Sequence, residues 1–232
     1  SITIATGDTL IVPGTFTHTD GAINGGTIRV DGNATIGAAA DASSSVAGAT
    51  MLSFTAAGDQ TITGAAGGDS AGLSVNKPSG TVTLSGTVGF SGNVTWTAGT
   101  LAAGTSTLVL RNGGGTGSPG LTIDVPTSLT LNNLEINLSN NRTVTIASGD
   151  TLIVPGTFTH TDGYLDGGTI EVRGPMSIAA TADGTTANPS AATVLSFVTT
   201  NDQTITGAAG GYTAGLSVNK AAGTLTLSGT VG

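Results

Sequence analysis

At 232 residues the chain is long enough to bury a sizeable core, yet it carries 38 glycines, 43 threonines and only 9% charged residues, against about 25% in an ordinary soluble domain. Six basic and fourteen acidic residues leave a net charge of −8, which lacks the cationic footprint of a nucleic-acid binder and disfavours an anionic lipid surface. Cysteine is absent and no run of 18 apolar residues occurs, so neither a disulfide framework nor an inserted membrane helix is expected.

Strand-like alternation starts near the N-terminus with TLIV at Thr9 and TIRV at Thr27. It continues with LSVN at Leu73, TVTL at Thr81, VTW at Val94 and TLVL at Thr107. LTIDV at Leu121, LEINL at Leu134 and TVTI at Thr143 follow. Period-2 reading puts Val82 with Leu84, Leu108 with Leu110, Ile123 with Val125 and Ile136 with Leu138 on inner faces, and Thr81 with Thr83 outside. Turn pairs separate the runs: Pro-Gly at Pro13, Asp-Gly at Asp20 and Asp31, Ser-Gly at Ser79 and Ser91, and a glycine run after Asn112. Glu, Lys, Gln and Arg, the common helix formers, are scarce.

A long internal repeat organises these strands. Gly7–Gly21, GDTLIVPGTFTHTDG, recurs unchanged at Gly149–Gly163, an offset of 142 residues. GGTIRV at Gly25 returns as GGTIEV at Gly167, DQTITGAAGG at Asp59 returns at Asp202, AGLSVNK at Ala71 returns at Ala214, and LSGTVG at Leu84 returns at Leu227. Residues 1–142 form a first complete unit and 143–232 a partial second one, continuous with it. Ser1 enters at the point equivalent to Thr143, and Gly232 matches Gly89. Neither end resembles a polar cap, so neighbouring repeats are expected to cover them.

Short, evenly spaced strands within a long repeat predict an all-β fold: a parallel β-solenoid, or right-handed β-helix, with about three short strands per coil. Strand starts 26 residues apart, Thr81 and Thr107, then Thr143 and Thr169, suggest the coil length. The repeat would then span five or six coils at roughly 4.8 Å each. Two segments, 37–49 with its diverged counterpart 179–192, and 113–120, read as excursions from the stack.

The segment from Met51 to Asn112 resembles repeats of giant secreted bacterial exoproteins, the filamentous-haemagglutinin-like adhesins. The likeness lies in a strand ending in Phe54, then QTITG at Gln60, LSVNK at Leu73, GTVTLSG at Gly80, GNVT at Gly92 and the GTL turn at Gly99. Residues 194–232 follow the same order. The resemblance implies a β-helix, secretion to the cell surface, and adhesion or matrix roles; it implies no catalytic residues.

Candidate chemical residues are sparse. His18 and His160 occupy equivalent places in TFTHTDG, in phase with Phe16 and Phe158; one repeat apart, they are too distant for a shared metal. Asp20, Asp162 and Asp166 sit in glycine turns, where aspartate commonly bonds its own backbone, and the calcium-binding nonapeptide pattern is missing. Asp124 and Glu135 are the nearest pair of strand acids and have no third partner. Trp96, in phase with Val94, is expected in the core rather than stacked on a sugar. The sequons at Asn33, Asn93, Asn137 and Asn141 are a chance consequence of abundant threonine. T-x-T tripeptides, at Thr15, Thr61, Thr81, Thr95 and Thr143 among others, resemble ice-binding ladders, but outward Thr over inward Val or Ile is what any solenoid face needs.

No catalytic, cofactor-binding or metal residue is therefore expected, and no cofactor. The composition and repeat point to an extracellular or cell-surface structural protein, a fibre or adhesin stalk segment assembling end to end. Its partners would be itself or neighbouring repeats, and other cells or surface and matrix glycans. An ice- or glycan-binding solenoid is the alternative reading, and a carbohydrate-active β-helix enzyme the third.

Overall fold

The computed structural model describes residues 1–41, 50–111, 120–139, 141–185 and 192–232. Among them there is no helix, and every ladder between named strands is parallel. The chain winds as a β-solenoid of about ten turns. Three columns of stacked strands run along it, so the three-strand coil read from the sequence holds.

The first face stacks Thr9–Val12, Thr27–Val30, Met51–Phe54, the start of the long strand Gly72–Phe90 and the start of Val94–Ala102. Leu121–Asp124, Thr143–Ile146, the end of Phe158–Asp166 and Ala182–Thr185 continue it. The second face begins with Phe16, Ala34–Ala40, Gln60–Gly64, residues 81–86 and 100–102. Ser128–Thr130, which lies in the chain between a first-face and a third-face strand, takes up the second-face position. Beneath it come Thr151–Val154, Thr169–Val172, Val194–Phe197 and Gly215–Val218. The third face runs from residues 87–90 through Thr107–Arg111, Asn133–Asn137, 158–160, Met176–Ile178 and Gln203–Gly207 to Leu225–Gly229.

These registers correct the coil length. Thr81 stacks on Thr100 rather than Thr107, and Thr107 lies between Thr87 and Asn133. Thr143 stacks on Tyr164, and Thr169 on Thr151. The 26-residue spacing spans one coil plus one face, because each corner restarts the same Thr-led strand pattern one face further round.

The repeat is likewise not a whole number of coils. Six ladder steps below Thr9–Val12 on the first face lies Thr143–Ile146, not the second copy of that strand. The second copy, Thr151–Val154, stands on the second face. One repeat is thus six coils and one face: identical sequence recurs translated by about 30 Å, at roughly 4.8 Å per coil, and turned by one side of the prism.

Inside, side chains stack in columns because in-register parallel strands place like positions above one another. Leu52, Leu73, Val94, Ile123 and Ile146 form one such file. Val82, Leu84, Val94, Trp96, Leu108 and Leu110, which alternation assigns to the interior, are buried, and so are Phe54, Leu73 and Val75. Each such residue contributes about 1.5–3 kcal/mol by leaving water. At the corners, Gly25 and Gly26 (φ +66° and +57°) turn the chain with left-handed backbone, and a Cβ at Gly26 would strike the Ile4 side chain.

Candidate functional site

The polar side chains brought inside by the repeat are used to fasten the coils. His18 and His160 point inward, as their phase with Phe16 and Phe158 required, with ring centroids 6.4 and 6.3 Å from those of the phenylalanines. His160 stands in an apolar file between Ile136 and Ile178. Its Nε2–H donates to the Gly163 carbonyl (2.7 Å) and its Nδ1 accepts from Thr213 Oγ1 (3.2 Å). His18 repeats the arrangement with the Gly21 carbonyl (2.6 Å) and Ser70 Oγ (3.1 Å). Each imidazole thus links the backbone three residues on to a hydroxyl more than fifty residues away. Burial holds His160 below the ordinary histidine range, against the carbonyl of Gly163 and the charge of Asp183. The neutral, Nε2-protonated form satisfies both partners.

A second bracket was not singled out from the sequence. Gln60 is buried on the second face, and its Nε2 donates to the carbonyls of Val30 (3.0 Å) and Gly32 (2.6 Å) in the coil above. The Lys77 Nζ reaches up to donate to Gln60 Oε1 and to the Ala56 carbonyl (2.6 Å). Burial lowers the Lys77 pKa, and Asp59 pulls the other way. In the second copy Gln203 donates to Val172 and Gly174, and Lys220 donates to Thr199, Asn201 and Gln203. The signal was present in the exact return of DQTITG and LSVNK with Lys 17 positions after Gln each time.

A third fastening uses the corner Asn and Asp residues. Side-chain oxygens of Asn33, Asp59, Asn93, Asn133 and Asp202 accept the backbone N–H of Thr61, Thr81, Thr122, Thr157 and Thr224, each one coil further along (2.7–2.9 Å). Asp150 does the same backwards, taking the Val125 N–H at 2.8 Å. Two sequon asparagines, Asn33 and Asn93, thereby spend their amide oxygens on the ladder. Asn137 donates to Glu135 (3.1 Å), and Asn141 adopts left-handed backbone at φ +55°.

The scattered acids stay apart. Asp124 points outward from the first face and Glu135 from the third. Asp20, Asp162 and Asp166 all lie within strands rather than in open glycine turns, which corrects that expectation; beside Asp20 and Asp162 a register shift lets an irregular strand absorb the extra residue at that corner. Burial and Asp183 raise the Asp162 pKa, while the Gly163 backbone lowers it. Among the described residues no group of three or more His, Cys, Asp and Glu could hold a metal ion. Trp96 is in the core, its indole N–H donating to the Gly99 carbonyl at 3.0 Å. Of the expected excursions, residues 42–49, 113–119 and 186–191 lie outside the described residues, whereas 37–40 and 182–185 belong to strands and so correct the expectation of loop there.

The T-x-T ladders are real but short. Thr17, Thr35, Thr63 and Ser85 stack outward on the second face. Thr159, Ser177, Thr206 and Ser228 do so on the third, where Glu135 precedes them. No protein-family model, curated protein or solved structure matches the chain.

Proposed function

We propose that the chain is structural: a segment of an extracellular β-solenoid fibre or adhesin stalk that lengthens by stacking coil on coil. One observation carries this reading. Among the described residues the polar side chains inside the coils bond to neighbouring coils: Gln60 and Gln203 donate to carbonyls of the coil above, and Lys77 and Lys220 donate to those glutamines. Strand follows strand in the same parallel ladder from one coil to the next, so the fold extends by adding like coils. The likeness of residues 51–112 to filamentous-haemagglutinin-like repeats, and so a place on a bacterial surface, is part of the same proposal. Electron microscopy of the purified chain tests it: filaments or end-joined rods that Leu216→Asp and Val218→Asp abolish support stacking, and monodisperse rods at high concentration refute it.

The outward hydroxyl ladders favour a second reading, ice or glycan binding. They rank it lower because the second-face ladder is only four hydroxyls long and Glu135 heads the other. Thermal hysteresis or a positive glycan array, lost on Thr63→Leu, would raise it above the scaffold reading. A carbohydrate-active enzyme stands third, since its candidate acids face different sides; release of reducing sugar is its test.

A further inference from the structure

The two copies of the repeat close one corner differently. In the first copy the corner reads Ile23, Asn24, Gly25, Gly26. Thr50, buried one coil further on, sets its hydroxyl against the carbonyls of Ile23 (3.1 Å) and Gly25 (2.8 Å). In the second copy the corner reads Leu165, Asp166, Gly167, Gly168, and Thr193 takes the place of Thr50. The Val194 N–H donates to the Gly168 carbonyl at 3.2 Å, as the Met51 N–H does to that of Gly26 at 3.3 Å. One more residue, however, separates Gly167 from Thr193 than separates Gly25 from Thr50, and Ala192 forms an antiparallel bridge with Asp166. Thr193 is 1% exposed and makes neither carbonyl bond. Among the described residues, Thr193 Oγ1 and Asp166 Oδ1 are the two buried side-chain oxygens left without a hydrogen-bond partner. Both lie at this corner.

Leaving a buried hydroxyl or carboxylate oxygen unpaired is costly, and an ionised carboxylate can only accept. Among the described residues no lysine or arginine pairs with Asp166. The first copy has the neutral Asn24 at this place, so a negative charge enters the corner in the same copy in which the threonine releases the carbonyls. We propose that Asp166 Oδ1 and Thr193 Oγ1 ligate a calcium ion. The carbonyls of Leu165 and Gly167, counterparts of those that Thr50 bonds, are the neighbouring oxygen donors, and water completes the shell. Calcium accepts about 6–8 oxygen ligands in irregular arrangements, whereas magnesium demands a near-ideal octahedron. One carboxylate, one hydroxyl and main chain suit the former. With a single charged ligand the site is weak, with Kd about 10⁻⁴–10⁻³ M. The ion ties the end of Phe158–Asp166 to the entry of Val194–Phe197, one coil on, whether or not the chain serves as a stalk.

Two substitutions probe the site without breaking the fold. Asp166→Asn installs the residue that the first copy carries at the same corner, and so removes the charge while keeping the shape. Thr193→Val replaces the orphaned hydroxyl by a methyl group of similar size. Because that hydroxyl has no protein partner, the calcium-free chain loses no bond, and its urea midpoint should stay level or rise.

The experiment strips the full chain with a chelator, titrates calcium chloride into it by calorimetry, and repeats urea unfolding with and without the salt. Expected are saturable binding at one site per chain and a urea midpoint raised by calcium, since an ion held only by the folded state stabilises it. Asp166→Asn and Thr193→Val should each abolish both effects, and Asp20→Asn, an acid of the other copy, should change neither. Magnesium chloride should bind more weakly. A corner that holds only water gives no saturable heat, and that result overturns the assignment. So do binding that survives Asp166→Asn and magnesium binding as tight as calcium. A fall of the calcium-free midpoint on Thr193→Val would also overturn it, by revealing a protein partner for the hydroxyl.

Discussion

At the scale of single residues, the polar groups inside this solenoid are there because each has a ladder-crossing partner. Gln60 joins two carbonyls of the coil above to the ammonium of Lys77, which is itself buried. Gln60→Ala strands those carbonyls and an ammonium together, and about 2–3 kcal/mol should be lost, since an unsatisfied buried group costs about 1–3 kcal/mol and more when charged. Urea unfolding, read as a shift in midpoint at unchanged slope, measures it. His160 provides a pH signature. Its folded pKa lies below the unfolded one, so the unfolded chain binds the proton first. Its contribution is whole above about pH 6.5, the unfolded histidine value, and is lost as pH falls through the folded pKa. Asp162 has a raised pKa and the opposite sign, its contribution being present at low pH and lost as pH rises through its folded value. His160→Asn should flatten the fall in stability below about pH 6.5 while lowering it at pH 8, as denaturant titrations across pH would reveal.

At the scale of a strand, the repeat offers its own control experiment. Leu10 and Leu152 occupy the same place in TLIV, yet Ser128–Thr130 covers only the second. Leu152→Ala should cost about 2–5 kcal/mol, the usual range for a buried leucine, and Leu10→Ala well under half of that. Equal costs, measured by the same unfolding titration, would mean that the first strand is covered in solution. Val82→Asp places an unpaired charge between Gln60 and Leu101 in the ladder and should cost several kcal/mol, enough to disrupt the central coils. The strands themselves were legible, because Thr alternating with Val, Ile or Leu has period 2 wherever it occurs. Their stacking partners were not: similar strand starts recur on successive faces as well as on successive coils, and spacing alone does not separate the two.

At the scale of the whole molecule, each coil touches only its neighbours, so stability should grade along the axis. Amide exchange is expected to be slowest in the middle, around Gly72–Phe90 and Thr107–Arg111, and fastest at Ile2–Val12 and Gly215–Gly229. Uniform protection from end to end would contradict a stack with open ends.

The sequence by itself determined the class of this protein. Its alternation, its turn glycines and its 142-residue repeat require stacked strands around an apolar interior, and the inward positions followed from parity alone. It also carried, in the exact return of Gln60 with Lys77 and of His18, a record of the polar fastenings, although nothing local says what such residues touch. Tertiary structure alone decided the rest. Coil lengths vary with each excursion and bulge, so only the ladder shows that a repeat closes after six coils and one face. That rotation sends the same fifteen residues to different sides of the prism, because partners across a parallel ladder lie some twenty residues away and are set by closure of the coil.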